Sequence, residues 1–128
     1  MSNRRLERIL HVDDEPDIRE IVRLALRLIG GYTVESCSSG RDAIDRVPVF
    51  RPDIILLDVM MPGMSGPETL TALREMDSGL EASVVFMTAK SRPDELRSLG
   101  GVDVIAKPFD PLIVSDQLSQ IWARHAHR

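Results

Sequence analysis

The chain has little of several things, and each shortage closes off a class of protein. One cysteine, Cys37, cannot form an internal disulfide, which agrees with a reducing compartment. Free cysteine usually packs as a small hydrophobe, so a buried, unreactive Cys37 is expected. Basic charge is also short. With 16 Lys and Arg against 20 Asp and Glu, the net charge is -4, and the chain lacks the overall basic field that draws proteins onto nucleic acid. Direct nucleic-acid contact is therefore not expected. No apolar run approaches the roughly 20 residues needed to cross a bilayer, and the polar start from Met1 to Arg8 has no apolar signal-peptide core. A cytoplasmic protein without membrane contact is expected. Repeats, low-complexity segments and linkers are absent from the sequence.

What remains is an ordinary globular composition. At 128 residues, 43% apolar and 28% charged, the chain suits a single domain over residues 1–128 with one hydrophobic core, from about residue 7 to 123. Short aliphatic runs alternate with helical spacing. The runs are Arg8 to Val12, Thr33 to Ser36, Ile54 to Leu57, Val84 to Met87 and Val102 to Ala106. Ile18, Ile21, Val22, Ala25, Leu28 and Ile29 mark one face of a first helix that stops at Gly30-Gly31. A second helix is predicted from Ser39 to Val47, ended by Pro48, and a third from Ser65 to Met76. A short fourth runs from Pro93 to Leu99, and a fifth has Asp110 as N-cap, Pro111 as first residue and its end near Ala123.

The run Ile54-Ile55-Leu56-Leu57 is apolar at every position, as in a strand covered on both faces. This predicts an α/β fold: a doubly wound, flavodoxin-like parallel sheet of five strands in the order 2-1-3-4-5, with five helices. In such sheets the working groups lie beyond the carboxyl ends of the strands. The residues there are Asp13-Asp14, Asp58, Thr88 and Lys107, all polar.

Three carboxylates brought together by Asp13, Asp14 and Asp58 are unfavourable unless protonated or neutralised by a cation. Oxygen-only donors suit magnesium, and no nearby His or Cys pair suggests zinc. With a metal offsetting charge, one carboxylate is free to act as nucleophile toward a phosphoryl group. Asp58 is the candidate, because the Gly- and Pro-containing loop after it, from Met60 to Gly66, allows close backbone approach. A backbone carbonyl of this loop, with that of Met60 as the candidate, is expected to complete the metal shell. Lys107 supplies a positive charge for phosphoryl oxygens and Thr88 a hydroxyl donor.

These stretches, Ile9-Leu10-His11-Val12-Asp13-Asp14-Glu15, Leu56-Leu57-Asp58 through Gly66, Thr88-Ala89 and Lys107-Pro108-Phe109, resemble the bacterial response-regulator receiver family over nearly the whole chain. The resemblance implies that Asp13 and Asp14 hold Mg2+, Asp14 more directly, and that Asp58 takes phosphate from a sensor histidine kinase or a histidine phosphotransfer protein. It implies that Thr88 moves toward the phosphate, that Lys107 pairs with it, and that a downstream protein target reads the face made by the fourth helix, fifth strand and fifth helix. The chain departs from the family at Val104, where an aromatic is common, so the short fourth helix is the expected moving part. Met60 and Lys90 are expected to control water access to the phosphate.

Other residues carry plainer expectations. His11, inside the first strand, is expected to be a satisfied core histidine, and Trp122 to be core unless it is exposed. Met60, Met61 and Met64 are expected to pack the loop, and the basic stretch Arg124 to Arg128 to be solvated. A stand-alone receiver without output domain is expected, since the chain ends with the fifth helix. Two alternatives stand beside it. One is a magnesium-dependent phosphohydrolase resembling haloacid dehalogenases, which need a second Asp where Met60 stands; the other is a pseudo-receiver that takes no phosphate.

Overall fold

A computed structural model describes residues 4–76, 80–89 and 93–125. Its elements run β1 (Arg8–Val12), α1 (Pro16–Leu28), β2 (Thr33–Cys37), α2 (Gly40–Phe50), β3 (Ile54–Asp58), α3 (Gly66–Met76), β4 (Ser83–Thr88), α4 (Pro93–Ser98), β5 (Asp103–Ala106) and α5 (Val114–His125). All strand pairings are parallel, in the order β2-β1-β3-β4-β5. The expected topology is therefore the observed one. β3, in the middle of the sheet, is buried at every residue, because helices cover both faces.

Alternate side chains of each strand enter two different cores. Ile9, Ile54, Leu56, Val85 and Met87 pack with α1 and α5, through Val22, Leu26, Leu118 and Trp122. Leu10, Val12, Ile55, Leu57 and Phe86 pack with α2, α3 and α4, through Ala43, Val47, Leu70, Leu73 and Leu96. This is the period-two alternation of a strand between two covered faces. It sends Leu10 and Val12 one way, and Ile9 and His11 the other.

Two helix boundaries differ from expectation. Pro48 does not end α2 but lies inside its last turn, and the helix closes at Arg51, whose N–H reaches the Val47 carbonyl. Proline removes one N–H and restricts the residue before it, so in the final turn it costs a single helical bond and leaves the apolar face on the core. α5 begins at Val114 rather than Pro111. Asp110 caps a separate leading turn, accepting from Leu112 N–H through its side chain and from Ile113 and Val114 N–H through its carbonyl. α3 opens on a reciprocal capping box: Glu68 N–H donates to Ser65 Oγ, and Ser65 N–H to Glu68 Oε1.

Trp122 is buried and donates its indole N–H to the Arg4 carbonyl, which removes it as an exposed contact site. Cys37 is buried, and burial pushes its thiol up to about 11. Val104 is half-buried and packs against the α2–α3–α4 side of the core. Lys90 and residues 126–128 of the basic terminal stretch lie outside the described residues.

Candidate functional site

The carboxyl ends of β1, β3, β4 and β5 meet at one edge of the sheet, and their last residues determine what faces outward there. β1 runs into Asp13, and β3 ends on Asp58, whose register partner on β4 is Met87. Thr88 is the next residue of β4 and pairs with Ala106, so Lys107 follows directly beyond β5. The Lys107 N–H donates to the Thr88 carbonyl at 2.8 Å, which fixes the two strand ends together. All the residues expected at this edge are on it.

Carboxylate oxygens of Asp13, Asp14 and Asp58 lie within 4.8 Å of one another, close enough to share a metal ion. Asp13 and Asp58 are almost entirely buried, while Asp14 is half-buried. A single ammonium bridges the two buried carboxylates: Lys107 Nζ is 3.2 Å from Asp13 Oδ2 and 3.1 Å from Asp58 Oδ1. Burial and the neighbouring Asp13 charge raise the Asp58 carboxyl above its ordinary value, against the pull of Lys107. Burial works against the Lys107 charge, yet the hydrogen bond and charge of Asp58, with Asp13, outweigh it and raise its pKa. Among the described residues one ammonium, shared by Asp13 and Asp58, faces a cluster of three carboxylates, which leaves it under-neutralised. An oxygen-only donor set of this kind fits magnesium.

The loop after Asp58 approaches closely because of Gly66. A Cβ there would lie 2.5 Å from the Asp58 carbonyl oxygen, too close for any side chain, and the Gly66 N–H instead donates to the Val59 carbonyl at 2.9 Å. Met60 projects into solvent, Met61 packs on the core, and Met64 is half-buried. The Lys107–Pro108 bond is cis. A cavity of about 920 Å3 lined by Arg8, Val47, Phe50, Arg51 and Leu73 contains none of Asp13, Asp14, Asp58, Met60, Thr88 and Lys107.

Three nearby groups did not figure among the expected site residues. Glu15 brings a carboxylate oxygen to 3.8 Å from Lys107 Nζ, and Arg19, one turn into α1, donates to the Asp13 carbonyl at 2.8 Å. Glu15 was visible as the neighbour of an Asp pair, whereas Arg19 reaches back only once the helix forms. His11 is the third, and here the structure corrects the expectation of a satisfied histidine. It is fully buried, but neither ring nitrogen has a hydrogen-bond partner. Its strand neighbours explain this: Leu56 offers no acceptor, and Ser36 Oγ is itself without a partner. Burial first, then the charges of Lys107 and Arg19, push the imidazole down to about 3, so it is neutral.

The family model described as the response regulator receiver domain matches residues 9–118. A relative from Mycobacterium tuberculosis (strain ATCC 25618 / H37Rv), the probable transcriptional regulatory protein TcrX, is 41% identical over 104 residues, which is 79% of this chain and 43% of that protein. Among solved structures, the chemotaxis response regulator CheY4 of Vibrio cholerae is 31% identical with a TM-score of 0.81, covering 91% of this chain and 98% of that one. The response regulator TrrA from Thermotoga maritima, in complex with Mg(2+)-BeF, is 29% identical with a TM-score of 0.76, covering 91% and 99%.

The chain spans about half the length of the curated relatives it matches. Several of these are described as transcriptional regulatory or DNA-binding proteins, so the expectation of no nucleic-acid contact finds no support. The net charge behind it bears only on this chain's own surface. Among the described residues no helix is long and apolar enough to cross a membrane. A family match covering most of the sequence, together with relatives and folds of the same kind, means that this chain belongs to the response regulator receiver domain family.

Proposed function

We propose that this chain is a single receiver domain, residues 1–128, in which Asp58 accepts a phosphoryl group from a sensor histidine kinase or histidine phosphotransfer protein in a magnesium-dependent reaction in the cytoplasm. The observation that carries the reading is the under-neutralised carboxylate cluster with one shared ammonium. A carboxylate oxygen of Asp58 attacks phosphorus, the bond from phosphorus to the donor nitrogen breaks, and the electron pair leaves with the donor imidazole. Asp13, Asp14, Asp58 and the Met60 carbonyl would hold magnesium, which would supply charge neutralisation for the transferring group. Lys107 pairs with the phosphoryl oxygens, Thr88 donates its hydroxyl to them, and Asp13 and Asp14 hold position. The signal passes to a downstream protein through contacts, and the chain assists only its own phosphorylation and dephosphorylation.

The phosphohydrolase alternative needs an acid/base two residues after the nucleophile. The exposed Met60 thioether cannot transfer a proton, which favours the switch. Intact-mass measurement after incubation with acetyl phosphate and magnesium tests the proposal. One phosphoryl adduct is expected, absent in Asp58→Ala and absent in excess chelator. Labelling that persists in either case would overturn the assignment of the acceptor or of the metal.

A further inference from the structure

We propose that His11 is a positioning residue of this site: its imidazole takes over Asp13 Oδ2 when the Lys107 ammonium turns from that carboxylate toward a phosphoryl group on Asp58. The inference rests on Asp58 being the acceptor. It starts from a cost. His11 is fully buried with both ring nitrogens unpartnered, and interior polar groups without partners are rare because the water they gave up is not replaced. Valine or leucine would fill this strand position without that cost, as Ile9 does on the same face of β1.

The geometry shows where the unused donor is aimed. His11 Nε2 lies 3.8 Å from Asp13 Oδ2, beyond hydrogen-bond range but within a small displacement of it. Lys107 holds that same oxygen at 3.2 Å while also holding Asp58 at 3.1 Å. The other Asp13 oxygen, Oδ1, is already committed to the Glu15 N–H at 2.9 Å, and Arg19 donates to the Asp13 carbonyl rather than to its carboxylate. Asp13 Oδ2 thus has one cation and one donor in waiting.

A phosphoryl group on Asp58 changes this balance. Its oxygens compete for the Lys107 ammonium, and each step of Lys107 toward them withdraws one cation from a carboxylate that is 0% exposed. His11 can close on Oδ2 and donate Nε2–H, in the tautomer with the proton on Nε2. A neutral donor suits the place better than a cation, since it covers the carboxylate without repelling a metal ion. In the resting state Lys107 already neutralises Oδ2, so a second, neutral donor gains least there. The unpaired imidazole is therefore a cost of the resting form that the phosphorylated form recovers.

Beryllofluoride with magnesium is the probe, measured by calorimetry on the full chain. His11→Val is expected to weaken beryllofluoride binding about tenfold, the value of one hydrogen bond to a charged group. The same variant should unfold no earlier than wild type without ligand, and up to about 3 °C later, because it removes an unpaired polar group. His11→Gln, whose amide nitrogen can stand where Nε2 does, should recover most of the binding. In wild type, nitrogen NMR of the His11 ring should show the proton on Nε2, its signal moving downfield when beryllofluoride binds. Binding by His11→Val within twofold of wild type, failure of His11→Gln to rescue, or a proton resident on Nδ1 would overturn the inference. If wild type itself binds no beryllofluoride, the acceptor reading fails before any variant is made, and this inference falls with it.

Discussion

The two ends of the sheet each bury aspartate, and they treat it in opposite ways. At the amino-terminal end Asp53 is 3% exposed; its Oδ2 accepts the N–H groups of Glu7 and Arg8 at 3.0 and 2.9 Å, and its Oδ1 pairs with Arg4 at 3.2 Å. Every lone-pair direction that matters has a donor, so Asp53 ties the start of β1 to the start of β3. At the carboxyl end Asp13 and Asp58 are equally buried but divide a single ammonium, with Asp14 adding a third carboxylate. Burial alone therefore does not mark a functional carboxylate. The difference lies in whether the fold supplies enough positive charge and donors, and the deficit at the carboxyl end is what a cation can fill.

The largest effect should come from the satisfied end. Asp53→Ala removes the charged acceptor of the Glu7 and Arg8 N–H groups and the carboxylate that half-exposed Arg4 faces, so a loss of about 3 kcal/mol in denaturant unfolding is expected. Phosphoryl labelling of Asp58 in the folded variant should match wild type. A large labelling defect would break the comparison by showing that both ends serve the chemistry.

At the under-neutralised end the sign reverses. Folding raises the Asp58 pKa, so the folded chain holds that proton more tightly than the unfolded chain does. The favourable contribution is present below the unfolded value and lost as pH rises through the folded value. Asp58→Asn should accordingly stabilise the metal-free protein by about 1 kcal/mol at pH 7, with the gain fading on acidification. Magnesium should reverse the order, stabilising wild type by about 2.7 kcal/mol at a hundred times its dissociation constant. Thermal melts with and without metal check both, and a variant less stable than wild type in chelator would contradict the deficit.

A smaller effect sharpens the contrast at the rim. Asp103 accepts from Arg97 and the Val104 N–H through Oδ1, and from Arg124 through Oδ2. Burial opposes its ionisation, but these donors outweigh burial and lower its pKa. A depressed carboxylate contributes stability above its unfolded pKa and loses it as pH falls through the folded one. Asp103→Asn should cost about 0.5 kcal/mol at pH 7, discounted because both arginines are half-exposed, and nothing in strong acid. Urea unfolding at the two pH values reads the difference.

Much of this was legible before folding. The apolar run of β3 and the positions of Asp13-Asp14, Asp58, Thr88 and Lys107 after the aliphatic runs indicated the sheet and the edge where these residues gather, because strand periodicity and strand ends are local properties. The boundaries of α2 and α5 were not legible. Pro48 is tolerated in a last turn by core packing, and Asp110 caps a turn that precedes the helix. The unpartnered state of His11 was invisible as well, since it depends on what β2 and β3 place beside it.

By itself, the sequence determined which residues alternate, which loops turn and which polar groups stand at strand ends, since these follow from neighbours a few positions apart. Only the tertiary structure decided that Lys107, arriving from β5, would be shared between Asp13 and Asp58, and that Asp53 would instead be satisfied by the backbone of β1. The compensation of a buried charge is a sum over donors from distant parts of the chain, and that sum exists only after the strands have paired.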